Sequence, residues 1–126
     1  MAIIPAPLLN QKYPLHLDDR EITLTVLVGN GQMYEGRYRV RPNLKSPDTR
    51  NGTLESGIPV SLGKDTELYG QRLSVLVTVA TVTGKDTQAQ FMLSGGQNDF
   101  NATLKVEAGN KGDTVVYEAY FRFTKS

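Results

Sequence analysis

Along most of the chain, apolar and polar residues alternate in short runs separated by clusters of Gly, Asn, Asp and Pro. A period of two marks strands with one face buried and the other in water, and no useful window carries a helical period. In residues 21–28, Ile22, Leu24, Val26 and Val28 share one face, and Thr23, Thr25 and Leu27 share the other. Gly29, Asn30 and Gly31 tolerate positive φ. Residues 33–41 then set Tyr34, Tyr38 and Val40 against Glu35, Arg37, Arg39 and Arg41. The pattern predicts a hairpin.

Residues 42–57 are rich in Pro, Asn, Ser, Asp and Gly, with only Leu44 and Leu54 apolar, which predicts a long excursion or a pair of weak edge segments. Ile58, Val60 and Leu62 resume the alternation. Pro59 has no N–H for a ladder, so this segment belongs on an edge or beside a bulge. Residues 64–71 predict one helical turn with Leu68 as its apolar plug.

The strongest run is 72–82, where Leu73, Val75, Val77 and Val79 form one face while Leu76, Ala80 and Val82 make the other apolar too. Two apolar faces predict a central strand. Thr83-Gly84-Lys85-Asp86, Gly95-Gly96-Gln97-Asn98-Asp99 and Gly109-Asn110-Lys111-Gly112-Asp113 punctuate the C-terminal third of the chain. Between them, residues 88–94 point Ala89, Phe91 and Leu93 inward, and residues 101–107 do the same with Ala102, Leu104 and Val106. Residues 114–123 close the chain with Val115, Tyr117, Ala119, Phe121 and Phe123 inward.

Strands spaced by turn signals without intervening helices predict an all-β, antiparallel β-sandwich of about seven to eight strands, C2-like or immunoglobulin-like, ahead of a barrel. Each inward side chain, fully buried, contributes about 1.5–3 kcal/mol before conformational entropy is subtracted. A length of 126 residues fits a single domain over 1–126. In residues 1–17, Tyr13, Leu15 and Leu17 alternate, but Pro5, Pro7 and Pro14 predict an extended arm or an edge strand.

Composition narrows the chemistry. A net charge of +1 provides no broad field for nucleic acid or an anionic membrane, so neither is expected as a partner. With no cysteine, disulfides, thiolate metal sites and cysteine nucleophiles are excluded. The opening Met1-Ala2-Ile3-Ile4-Pro5-Ala6-Pro7 has neither a basic leader nor an unbroken apolar stretch, so the expected location is cytoplasmic.

Candidate chemistry is sparse. His16, the single histidine, lies near Asp18 and Asp19, but three residues so close in one segment rarely form a triad. Gly29 to Tyr34 begins like a dinucleotide fingerprint, yet a strand comes next where phosphate binding needs a helix. Asp48, Asp65, Asp86, Asp99 and Asp113 sit one to a loop, without the density a calcium site needs. Glu107 and Glu118 are the carboxylates best placed on strands, and a facing pair is what glycoside hydrolysis requires. Asn51-Gly52-Thr53 and Asn101-Ala102-Thr103 match the glycosylation pattern. No catalytic residue, metal ligand or cofactor is assigned, and an enzyme is not expected.

Two binding signals remain. Arg37, Arg39 and Arg41 form a stripe that Arg122 joins if the sheet order allows it. Tyr69, Phe100 and Tyr120 are the aromatics for a sugar-stacking surface. The expected function is a non-enzymatic protein-interaction or structural module, binding itself or another protein through loops, a sheet edge or the N-terminal arm. The alternative is a module for carbohydrate or another ligand, built on the 42–57 loop and exposed aromatics.

Overall fold

The computed structural model describes residues 3–29, 32–43, 45–81, 86–107 and 112–125. The strands are β1 (Ile3–Pro5), β2 (Leu9–Pro14), β3 (Glu21–Gly29), β4 (Gln32–Arg41), β5 (Arg50–Thr53), β6 (Val60–Lys64), β7 (Arg72–Ala80), β8 (Thr87–Ser94), β9 (Phe100–Val106) and β10 (Thr114–Thr124). One helical turn, α1 (Asp65–Leu68), lies between β6 and β7. They form two packed sheets, one ordered β1-β10-β7-β4-β5 with β2 also on β10, the other β6-β3-β8-β9. The fold is an all-β sandwich. The strand count exceeds that read from the pattern because the N-terminal segment supplies two short strands and the 42–57 excursion supplies β5.

Alternation placed the core well. Ile22, Leu24, Val26, Leu73, Val75, Val77, Val79, Ala89, Phe91 and Leu93 are buried, as are all five inward residues of β10. Leu68 is buried beneath α1, as a plug should be. Strand β7 is central between β10 and β4.

The expected hairpin between β3 and β4 does not form, because the two strands lie in different sheets. β3 pairs with β6 and β8, and β4 pairs with β7 and β5, so neither has an edge left for the other. Turn residues announce a reversal without saying which sheet receives the next strand. A bulge between Met33 and Glu35 also moves Tyr34 off the face of Tyr38 and Val40 and leaves it 80% exposed. Readings that involve Asn30-Gly31, Leu44, Val82, Thr83-Gly84-Lys85 and Gly109-Asn110-Lys111 lie outside the described residues.

The N-terminal segment is built into the larger sheet. β1 and β2 run parallel to β10 along the same side of it, interrupted at residues 6–8. Tyr13 and Leu15 reach the core. The β8–β9 loop clamps this segment, with the Gly96 N–H donating to Tyr13 Oη (3.0 Å) and Gln97 Nε2 donating to the carbonyls of Leu15 (3.0 Å) and Lys125 (2.7 Å). Gly95 has φ +99°, and a Cβ there would meet the Glu21 carbonyl oxygen, so the loop requires glycine.

Candidate binding face

Register assembles a surface that no single strand announces. On the outward side of the larger sheet, Lys12 stands opposite Arg122, Arg122 opposite Arg72, and Arg72 opposite Arg41. Neighbouring strands lie about 4.8 Å apart, so four cations stand abreast within roughly 15 Å. The next row is Asn10, Tyr120, Ser74, Arg39 and Asn51, and the third carries Glu118, Leu76, Arg37 and Thr53. Arg37, Arg39, Arg41 and Arg122 therefore share one face.

Like charges directly opposite across strands destabilise a sheet. Nearby acceptors offset part of that cost. Asp48, from the loop before β5, accepts from Arg39 Nε at 2.9 and 3.1 Å and lies 4.0 Å from Arg41 Nε. Arg41 Nη2 donates to Ser74 Oγ at 3.2 Å, and its side chain is only 13% exposed. Tyr120 Oη donates to Glu118 Oε2 at 3.2 Å. Burial raises the Tyr120 pKa, Glu118 adds to the rise by charge and hydrogen bond, and Arg41 opposes it, so the phenol stays a protonated donor.

Between the arginines of β4 and the Tyr120–Glu118 pair lies a depression of about 470 Å³, floored by Ser74 and Leu76. A second, of about 190 Å³, is lined by Leu8, Asn10, Arg72, Tyr120 and Arg122. Tyr120 borders both. Among the described residues, six basic side chains, Lys12, Arg37, Arg39, Arg41, Arg72 and Arg122, share the face with three carboxylates, Glu35, Asp48 and Glu118. A chain of nearly neutral net charge thus concentrates positive charge on one side.

The other candidates scatter. Phe100 turns toward the core, its ring 5.1 Å from that of Phe121 at 78°. Tyr69 caps α1 and is 53% exposed, while Tyr120 lies on the outward sheet face, so the three aromatics make no common surface. Tyr38 packs over Gly52 of β5, where it shields an edge glycine. His16 is exposed on the loop after β2. Asp18 pairs with Arg20 at 2.8 Å, and Asp19 accepts from Thr66 Oγ1 at 2.6 Å. Glu107 comes directly after β9 in the smaller sheet and does not meet Glu118.

Asp65, read from sequence as a loop residue, is fully buried. Its carboxylate accepts the N–H groups of Leu17 (2.8 Å), Asp18 (3.2 Å) and Asp19 (3.0 Å). Leu17 and Asp19 have φ of 62° and 66°, so the 17–19 loop wraps an anion that the protein supplies itself. Among the described residues, no group of three or more His, Asp or Glu side chains is gathered in a way that would hold a metal ion.

Arg72 and Lys12 were missed by sequence reasoning. Their outward positions were legible from the buried residues beside them, Leu73 and Tyr13, but their alignment with Arg41 and Arg122 depends on strand order. Among the described residues, no helix is long and apolar enough to cross a membrane. The chain matches no protein-family model, no curated protein and no solved structure.

Proposed function

We propose that the protein is a non-enzymatic protein-interaction module that receives an acidic segment of a partner on the outward face of its larger sheet. The observation that carries this reading is the row Lys12, Arg122, Arg72 and Arg41, continued down β4 by Arg39 and Arg37. Arginine forks suit carboxylates geometrically, and a preformed sheet holds them with little ordering cost at binding. Asp48 beside Arg39 and Arg41, Glu35 beside Arg37 and Glu118 beside Tyr120 break up the positive surface, and that division leaves Arg72, Arg122 and Lys12 as its most open cations. Discrete side-chain carboxylates fit that division better than a continuous phosphate backbone. Tyr120 borders both depressions, Tyr38 lines only the larger and packs over Gly52, and Phe121 is buried, so among the described residues the face offers no succession of exposed stacking rings of the kind single-stranded nucleic acids use.

A second reading rests on Tyr120 itself. With Asn10, Ser74 and Asn51 in its row, it offers a ring and hydrogen-bonding groups to a carboxylated sugar.

Fluorescence anisotropy with three probes separates these readings: a glutamate-rich peptide, a single-stranded oligothymidylate and an oligomeric uronate. Saturable binding of the peptide, weakened about tenfold or more by Arg72→Glu and by added salt, supports the proposal. Preference for the uronate moves the assignment to carbohydrate. Preference for the oligonucleotide, or no binding to any probe, rejects it.

A further inference from the structure

Each sandwich has sheet edges that invite another strand, and natural proteins blunt them with Pro, bulges, charge or brevity. The β1/β2 edge carries Pro5, Pro7 and Pro14. β6 comes after Pro59 and is offset from β3 by a bulge opposite Ile22 and Thr23. β5 has four residues, and its Arg50 reaches across to Glu67 of α1 at 2.9 Å. β9 is different: seven residues, no proline, and unbroken register with β8 from Thr87↔Val106 to Leu93↔Phe100. Phe100, Leu104 and Val106 pack against the core yet remain only partly buried.

We infer that β9 is an assembly edge that pairs antiparallel with β9 of a second copy, about a two-fold axis at Thr103. The sequence of β9 is self-complementary in that register. Thr103 meets Thr103 of the other copy, Leu104 meets Ala102, Val106 meets Phe100, and Lys105 meets Asn101. The half-buried apolar residues thereby cover one another, threonines face across the axis, and the one charge in the strand avoids its own copy. The smaller sheets of the two copies become one continuous sheet. Because β9 belongs to the sheet opposite the cationic face, this pairing stands or falls separately from the proposed ligand.

Native mass spectrometry across a dilution series, with two variants, tests it. Wild type should show a two-chain species that dissociates on dilution, and Thr103→Lys, which places like charges face to face on an exposed position, should show one chain. Thr103→Cys introduces the sole cysteine and puts two sulfurs at the axis, where paired Cα atoms lie about 4.5–5.5 Å apart, within disulfide reach. It should form a covalent dimer on mild oxidation far faster than Lys12→Cys on the opposite sheet. Wild type with the mass of one chain throughout, a Thr103→Lys dimer as stable as wild type, or equal cross-linking of the two cysteine variants would each overturn the inference.

Discussion

Asp65 shows how one buried residue decides the conformation of a remote loop. Burial alone would raise its pKa, but the backbone N–H groups of Asp18, Leu17, Asp19 and Thr66 outweigh that penalty and hold it below the ordinary carboxylate value. A depressed folded pKa means that the stabilisation is fully present above the unfolded value, about 4, and is lost as pH falls through the folded one. Asp65→Asn should therefore lower stability at neutral pH by about 2 kcal/mol or more, and the gap from wild type should shrink in acid. Urea melts at pH 7 and at pH 3 check both the size and the sign. A second residue-level case joins the sheets: Thr87 Oγ1 and Tyr117 Oη lie 2.6 Å apart, both in the buried interior. Thr87→Val keeps the shape but strips the phenol of this partner, and thermal unfolding should record a loss of about 1–3 kcal/mol.

At the level of elements, the N-terminal segment divides into parts of unequal weight. β1 is three residues long and mostly exposed, whereas β2 and the residue after it carry Tyr13 and Leu15 into the core and receive the β8–β9 clamp. Removing residues 1–7 should leave a cooperative fold with a modestly lower melting temperature. Removing residues 1–15 should expose β10 and abolish cooperative unfolding, as circular dichroism melts of the two truncations would show. The apolar/polar period made the burial of β3, β7, β8 and β10 legible, because one face of each packs on the opposite sheet. Pro59 likewise announced the edge position of β6. Pairing was less legible. Gly29-Asn30-Gly31 has the chemistry of a hairpin turn, but β3 and β4 end in different sheets because both sides of each are taken by other strands. The Tyr34 bulge was not legible in the sequence because a single extra residue leaves little trace in a period of two.

For the whole molecule, the two sheets present unlike surfaces. The outward side of the smaller sheet carries Thr23, Thr25, Gln88, Gln90, Asn101 and Thr103, with Gln90 Nε2 donating to Asn101 Oδ1 at 2.9 Å. The outward side of the larger sheet carries the arginines and their carboxylates. Arg37, Arg39 and Arg41 were readable as a stripe, since they alternate on one strand. The row through Lys12, Arg122, Arg72 and Arg41 joins residues far apart in sequence, and only strand order aligns them. Salt should accordingly weaken acidic-peptide binding while leaving the fold unaffected, because the core is apolar and the ion pairs are partly exposed. The most direct measurement is an amide chemical-shift map during titration with a glutamate-rich peptide. Perturbations should concentrate on β4, β7, β10 and the Asp48 loop. Shifts confined to β3, β8 and β9, or none at saturating peptide, would contradict the larger sheet as the binding face.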